Sequence, residues 1–544
     1  MEQAGHIHNR FSISRFRFGI SCYAASFAFW FIIANTIPYL TFDLRHVVTD
    51  SLKKPENRYV NDLRRFGYSQ AQVMRVRGSI VPIGLSLLFL SFVAVSVGGG
   101  YAGLGSEWLI IVSAAVIGGY MALNIGANDV ANNMGPAVGG KVLTVFSAVA
   151  IAAVCESAGA LLAGGDVVNT VAKGIIAPGD KIAVIDFRYL MLSALLAAAL
   201  WINLATILSA PVSTTHAIVG GVLGAGIAAA GIDLVNWATM AKIAASWVIS
   251  PVFGALVSAA LLLFIKVKVL NAENRLEAAG RWVPVMIAVM AATFAAYMAL
   301  KGFKKIWQAS IIEVILFSGL SYMAAYFVAR PYIARRLEGM QNRKRNVNGL
   351  FDLPLIIGAA LLCFAHGAND VANAVGPLAA IISTIGDQPE IAKQVSIPLW
   401  VMVIGALGIA LGLALFGPKL IIIVGEKITR LNSPRAYCVA LSSAITVLIA
   451  TTLGLPVSST NIAVGAVFGV GFLRELRENP NRRKLKPGHK LNATAEDAFA
   501  NRSSRAKRRL VRRQFVYSIA AAWVVTVPAS AALAATIYAV LQLG

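Results

Sequence analysis

Asp129 and Asp370 are two acidic residues that lie within long apolar stretches of the sequence. An ionised carboxylate in such a place costs at least a few kcal/mol, so a functional role is the default expectation. An asparagine follows each acid by three residues (Asn132 and Asn373), and on a helix this spacing puts both side chains on one face. Each stretch is therefore predicted to present a carboxylate and an amide to one point. A purely structural helix cap is the alternative, but it does not explain why both acids occur with the same neighbours.

Three consecutive polar residues with hydroxyl groups follow a proline at two places in the chain. Pro211 to His216 reads PVSTTH, and Pro456 to Asn461 reads PVSSTN. Proline suits the first helical turn, where hydroxyls would lie beside free backbone N–H groups at the positive end of the helix dipole. Two such helix starts could close around one tetrahedral oxyanion, although hydroxyls also bond back to their own helix or join helices. The predicted anion-binding residues are Asp129, Asn132, Ser213, Thr214, Thr215, Asp370, Asn373, Ser458, Ser459 and Thr460.

The two acids belong to an internal duplication. Gly126 to Pro136 reads GANDVANNMGP and Gly367 to Pro377 reads GANDVANAVGP, so only two residues differ. A third motif, WVISP at Trp247 to Pro251, has a counterpart in WVVTVP at Trp523 to Pro528. Three motifs in the same order indicate a repeat, and repeats in transporters mark the substrate site.

Loop charges indicate that the second copy is inverted relative to the first. The loop from Gly98 to Glu107 has no Lys or Arg, whereas the equivalent stretch from Arg330 to Arg345 is rich in them. The connections from Ile227 to Met240 and from Arg474 to Arg513 differ in the same way. Because Lys and Arg accumulate on the cytoplasmic side, equivalent loops face opposite sides of the membrane.

The composition predicts an all-α, polytopic integral membrane protein. Of 544 residues, 58% are hydrophobic and 13% are charged, with a mean hydropathy of +0.71. Continuous apolar runs predict roughly 12 transmembrane helices and exclude an alternating outer-membrane barrel. We expect a bacterial inner (plasma) membrane. The net charge of +23 lies mainly in loops, which favours contact with anionic lipids and not with nucleic acid.

Helix breaks are expected in both GAND motifs, because glycine and proline are poor formers of continuous helices. Broken helices are tolerated at membrane depth where they line a cavity, so they mark a site. The expected break positions are Gly126, Gly135, Pro136, Gly367, Gly376 and Pro377.

Four segments are predicted along the chain. Residues 1–78 form an N-terminal extension with one extra transmembrane helix and a basic linker, and residues 79–265 form the first transport repeat. Residues 266–350 supply connecting helices and a basic loop. Residues 351–544 form the second repeat, which carries a basic cytoplasmic insertion at 474–513.

Carboxylates beside an anion should repel it, and two explanations stay open. Asp129 and Asp370 can hold coupling cations, with Asn128 and Asn369 as neutral oxygen donors. Alternatively, a carboxylate accepts a hydrogen bond from a protonated oxygen of the substrate. Glu156, another acid in an apolar run, is predicted to take part in substrate or cation coupling, against a buried structural role.

His216 could titrate near physiological pH. Its counterpart in the second repeat is Asn461, which argues against a proton relay that runs through both halves.

The duplicated GANDVAN signatures with PVSTTH-type segments resemble those of the inorganic phosphate transporter (PiT) family, over about residues 79–265 and 351–544. The resemblance implies inverted-repeat symporters that move phosphate with sodium or protons, sometimes as a metal phosphate complex, while some relatives carry sulfate. It assigns substrate binding to the ten residues given above and importance to Glu156. Asn461 stands where the family usually repeats histidine.

These observations together predict a secondary active importer of inorganic phosphate, coupled to sodium or protons, that works by alternating access around a shared site. It is predicted not to be an enzyme and to need no cofactor or metal beyond its coupling ion. Phosphate and membrane lipids are the expected partners, and a homodimer is compatible with this architecture. The alternatives are a sulfate or other oxyanion permease, a channel, and an intramembrane hydrolase.

A carboxylate acceptor would distinguish phosphate from sulfate, because hydrogen phosphate carries a proton near neutral pH and sulfate does not. We expect excess sulfate to leave phosphate uptake unchanged and arsenate, which carries the same proton, to compete. Asp129→Asn or Asp370→Asn should weaken this discrimination in the same competition assay. Equal competition by sulfate would contradict the hypothesis.

Overall fold

The structure, a computed structural model, consists of helices and their connections in the residues that it describes. These are residues 80–103, 105, 107–177, 182–208, 212–303, 308–385, 397–427, 431–477 and 513–543. Within them, eleven helices are long and apolar enough to cross a membrane, and extended pairing is limited to one bridge between Ile176 and Val235. The all-α, polytopic prediction is confirmed. The predicted N-terminal helix and nearly all of the basic insertion lie outside the described residues.

Seven α-helices are described in the first half of the chain. Thr144 and Asn236 cap two of these helices by accepting hydrogen bonds from backbone amides three residues later. The helices are α1 (Ile80–Gly100), α2 (Glu107–Gly139), α3 (Val145–Ala163), α4 (Gly165–Asn169), α5 (Val184–Ile207), α6 (Thr214–Ala230) and α7 (Trp237–Ile265).

A helical hairpin connects the halves. It consists of α8 (Arg275–Tyr297) and α9 (Ile311–Leu337), followed by the short helix α10 (Lys344–Gly349). Ser310 and Glu313 form a reciprocal capping box at the start of α9. The start of α8 lies beside the end of α9, where Gly280 approaches Leu337, so the two helices are antiparallel.

The described residues of the second half form five α-helices. They are α11 (Asp352–Ile382), α12 (Leu399–Lys427), α13 (Ser433–Thr452), α14 (Ser459–Arg477) and α15 (Arg513–Gln542). The first four residues of the predicted insertion therefore complete α14.

The helix breaks do not lie where the sequence predicted them. Both GAND motifs lie inside continuous helices, α2 with Pro136 and α11 with Pro377 in its interior, so the expected breaks there are wrong. The chain leaves helical geometry instead before the two hydroxyl triplets, between α5 and α6 and between α13 and α14. A helix can accommodate one proline at the loss of one backbone hydrogen bond, and at least two of the glycines have another use.

Gly126 and Gly367 allow helices from opposite repeats to touch backbone to backbone. Gly126 of α2 lies against the carbonyl of Ile409 in α12, and Gly367 of α11 lies against the carbonyl of Glu156 in α3. A Cβ atom at either glycine would overlap that backbone. Small residues at helix contacts permit this close approach in membranes. Each GAND helix is therefore packed on a helix of the other repeat.

The helices that carry the hydroxyl triplets, α6 and α14, also pack on helices of the other repeat. Gly224 of α6 lies against Ala531 of α15, and Gly469 of α14 lies against Ala255 of α7. Equivalent glycines thus meet equivalent helices across the duplication. This reciprocal packing agrees with two copies of one inverted element.

The chain divides by its internal contacts into two compact units. One comprises Met1–Val116 with Val540–Gly544, and the other comprises Ile117–Ala539. Every residue predicted to bind the substrate or a cation belongs to the second unit. The segment boundaries predicted from composition stay predictions.

Substitution at the glycine contact should destabilise the fold. Gly367→Ala would force α3 and α11 apart, and overpacking of this kind costs about 1–3 kcal/mol. We expect a lower thermal unfolding temperature in detergent. The matched control is Gly319→Ala in α9, where a Cβ would meet no atom within 4 Å. Equal stability of both variants would contradict the close contact.

Candidate functional site

Asp129 of α2 and Asp370 of α11 meet at one buried centre. Each side chain is 1% exposed. His366 lies between them, with its Nε2 atom 3.0 Å from Oδ2 of Asp370 and 3.6 Å from Oδ2 of Asp129. One ligand atom from each of the three residues lies within 4.8 Å of the others. The structure therefore brings together the two acids that the duplication predicted to converge.

Asp129 accepts hydrogen bonds from hydroxyls of both repeats. Thr214 of α6 donates to its Oδ2 at 3.2 Å, and Thr460 of α14 donates to its Oδ1 at 3.1 Å. Asn132, one turn beyond Asp129, donates to the Thr460 hydroxyl at 2.9 Å. The first acid is thus held by a residue of its own repeat and by one of the other.

Asp370 and Asn373 of the second repeat make contacts that correspond to those of Asp129 and Asn132. Ser459 donates to Oδ2 of Asp370 at 3.2 Å, within the second repeat. Asn373 donates to the hydroxyls of Thr214 and Thr215 in the first repeat, at 3.3 and 3.1 Å. An asparagine of each repeat therefore donates a hydrogen bond to the hydroxyl triplet of the other repeat.

Ser213 and Ser458 are N-cap residues. The Ser213 hydroxyl accepts from the amide of His216 at 3.2 Å, and the Ser458 hydroxyl accepts from the amide of Asn461 at 3.3 Å. They fix the starts of α6 and α14, whose first amides have no partner within the helix itself. The His216 ring lies against Trp247, with 4.0 Å between centroids.

Asn128 and Asn369 contact the segments that lead into the hydroxyl triplets. Asn128 donates to the carbonyl of Val212 at 3.3 Å. Asn369 donates to the carbonyl of Leu455 at 3.1 Å and accepts from the amide of Val457 at 3.2 Å. Both side chains support the helix starts in this structure, and their predicted part in cation coupling stays a prediction.

Glu156 reaches the centre through His366. It is fully buried, lies 3.2 Å from Nδ1 of His366 and accepts a hydrogen bond from Asn133 at 2.8 Å. Neither His366 nor Asn133 was predicted from the sequence. The available signal was that His366 directly precedes the second GAND motif, where the first repeat has Ile125.

The centre combines features that suit a cation with features that suit an anion. It holds three carboxyl groups and one imidazole. Oδ1 of Asp370 and Oδ1 of Asn373 are among the buried acceptors that have no hydrogen-bond partner among the described residues. Such oxygens call for a cation or a donor from a ligand. The adjoining starts of α6 and α14 offer amides and hydroxyls, which suit an oxyanion.

The chain resembles proteins that are connected with phosphate transport. Residues 125–534 match the model of the phosphate transporter family. A putative phosphate permease of Helicobacter pylori is 43% identical over 514 residues, covering 86% of this chain and 96% of that protein. A putative phosphate permease of Pyrococcus abyssi is 37% identical over 370 residues, covering 68% and 90%. A solved structure described as "The sodium-dependent phosphate transporter" has 35% identity and a TM-score of 0.69, covering 80% and 99%.

The Thr460 hydroxyl should matter for binding because it joins α14 of the second repeat to Asp129 and Asn132 of the first. We expect Thr460→Val to weaken the binding of radiolabelled phosphate in detergent by about tenfold or more, since a hydrogen bond to a charged group is lost. Thr460→Ser should restore it.

The matched control is Thr446→Val. The Thr446 hydroxyl donates to the Ser442 carbonyl in its own helix, at 2.7 Å. Unchanged binding by Thr460→Val, or an equal loss in both valine variants, would contradict the assigned contact.

Proposed function

Because the chain belongs to the phosphate transporter family, we propose that it is a secondary active transporter that imports inorganic phosphate by cation symport. One observation carries the proposal. Acids from the two repeats meet at a single buried centre, and hydroxyls and amides of each repeat bond to groups of the other. A shared central site between repeats is the arrangement around which secondary transporters alternate.

Charge supports the coupling to a cation. A phosphate anion could not enter a buried region with three carboxyl groups and one imidazole unless positive charge came with it. Sodium accepts hard oxygen ligands, and the free oxygens of Asp370 and Asn373 are of that kind. The related solved structure is that of a transporter described as sodium-dependent. We therefore favour sodium over a proton as the coupling ion.

The anion is proposed to lie against the starts of α6 and α14. Their N-terminal amides are donors, and the helix dipoles favour negative charge there. Each hydroxyl has a single proton, and in this structure Thr214, Ser459 and Thr460 donate theirs to the two acids. A cation on Asp129 and Asp370 would release these hydroxyls to donate to the anion instead. The cation would then bind between these donors and the acids. Simultaneous binding of both ions removes the repulsion between phosphate and the carboxylates.

We propose alternating access around this site. The reciprocal glycine contacts imply that the moving bodies are not the two halves of the sequence, because α2 is packed on α12 and α11 on α3. A body that moves as a unit would contain helices of both repeats. Placement in a bacterial inner membrane, contact with anionic lipids and a homodimer stay predictions.

The hydrolase alternative is not supported. The family and the named relatives are transporters and permeases, which are not enzymes. The duplicated set of hydroxyls and acids also exceeds what one nucleophile, base and orienting group require.

The proposal predicts uphill uptake of radiolabelled phosphate into proteoliposomes under an inward sodium gradient. An imposed proton gradient alone should give much less uptake. Asp129→Asn and Asp370→Asn should lower sodium-driven uptake by about tenfold or more, because each removes a buried charge that the cation must match.

Asp233→Asn, a change at an exposed acid outside the site, is the control and should keep uptake near the wild-type level. Passive equilibration without accumulation would indicate a channel and contradict symport. Accumulation driven only by protons would overturn the preference for sodium.

A further inference from the structure

The two GAND motifs differ at two positions, and one of them carries a polar contact. Asn133 stands where the second repeat has Ala374, and Met134 stands where it has Val375. The Asn133 side chain donates to Oε1 of Glu156 at 2.8 Å, between α2 and α3. Both residues are at most 1% exposed. The difference between the motifs therefore lies in a buried hydrogen bond and not on a free surface.

The glycine contacts identify the counterparts of the other members of this cluster. Gly367 touches the backbone of Glu156, and the equivalent Gly126 touches the backbone of Ile409, so Glu156 and Ile409 occupy matching places. His366 precedes Gly367 as Ile125 precedes Gly126.

Three polar residues on one side of the centre thus correspond to three apolar residues on the other. The polar set is Asn133, Glu156 and His366, and the apolar set is Ala374, Ile409 and Ile125. The twofold relation that holds for the acids and hydroxyls fails here.

The polar set forms a chain of contacts that ends on the paired acids. Asn133 contacts Oε1 of Glu156, and Oε2 of Glu156 lies 3.2 Å from Nδ1 of His366. Nε2 of His366 then faces Asp370 and Asp129. The partner of one imidazole nitrogen fixes the ring orientation and what the other nitrogen presents. Glu156 therefore fixes the orientation in which the His366 ring faces Asp129 and Asp370.

Glu156 itself needs support. A fully buried carboxylate is costly unless its oxygens have partners, and Asn133 supplies the donor to Oε1. Without that donor the carboxylate is free to change rotamer, and the imidazole loses its fixed partner. The effect would reach Asp129 and Asp370 although Asn133 touches neither a cation nor phosphate.

We infer that Asn133 is a positioning residue for cation coupling, which acts through Glu156 and His366 on the acid pair and makes the two halves of the central site unequal. This inference rests on the proposed function. Of the two residues that differ between the GAND motifs, Asn133 is the one that forms a buried polar contact, and the inference gives that contact a function.

The test is sodium-dependent phosphate uptake by Asn133→Ala, which installs the residue that the second repeat carries. We expect the half-saturating sodium concentration to rise about tenfold, the scale of one hydrogen bond to a charged group. The KM for phosphate at saturating sodium should stay near the wild-type value. Met134→Val, the other natural difference between the motifs, is the matched control and should behave like wild type. Asn133→Ser, which keeps a short donor, should recover part of the loss and replaces the alanine variant if that variant fails to insert.

A double-mutant cycle separates positioning from a general structural effect. If Asn133 acts through Glu156, the pair Asn133→Ala and Glu156→Gln should show no larger rise than Glu156→Gln alone. Additive effects, or an unchanged sodium requirement in Asn133→Ala, would overturn this inference while leaving cation-driven uptake intact. If wild-type uptake follows a proton gradient instead, the same variants are compared by their dependence on that gradient. Absence of any cation-driven uptake would overturn the proposed function itself.

Discussion

The cost of holding carboxyl groups away from water governs the centre of this protein. Asp129, Asp370 and Glu156 are almost completely buried, and the side chains around them are donors that point inward. Because donors to Asp129 come from both repeats, satisfying this acid also fixes the register of one repeat against the other. The site and the interface between repeats are therefore one structure, held by the same hydrogen bonds.

Close packing of the helices allows the polar side chains of the two repeats to meet at one centre. Backbone contact at Gly367 holds α11 close enough to α3 for His366 to lie 3.2 Å from Glu156, and the contact at Gly126 holds α2 on α12 in the same way. Larger residues at these contacts would separate the helices and lengthen every hydrogen bond across them. The glycines thus act at a distance from the ligands, through the spacing of the helices.

The duplicated residues could be predicted from the sequence by comparing the repeats, whereas of the one-sided polar residues only Glu156 could, because it is an acid within an apolar run. Asp129, Asp370 and the hydroxyl triplets were found because each motif supported the other. His366 and Asn133 have apolar counterparts, so comparison of the repeats did not mark them as functional. The helix breaks were misplaced because glycine serves both as a break and as a close contact, and only the packing partner distinguishes the two uses. Ser213 and Ser458 were expected at helix starts, and they are caps there.

The reciprocal packing of the two repeats would also be possible between two separate, identical subunits. Two identical copies in opposite orientations could bury the same glycine contacts against each other. In such a pair of identical subunits, any histidine beside one acid would also appear beside the other. In a single polypeptide the two repeats can differ, so His366 stands opposite Ile125, and the central site can be asymmetric although the helix packing around it is twofold.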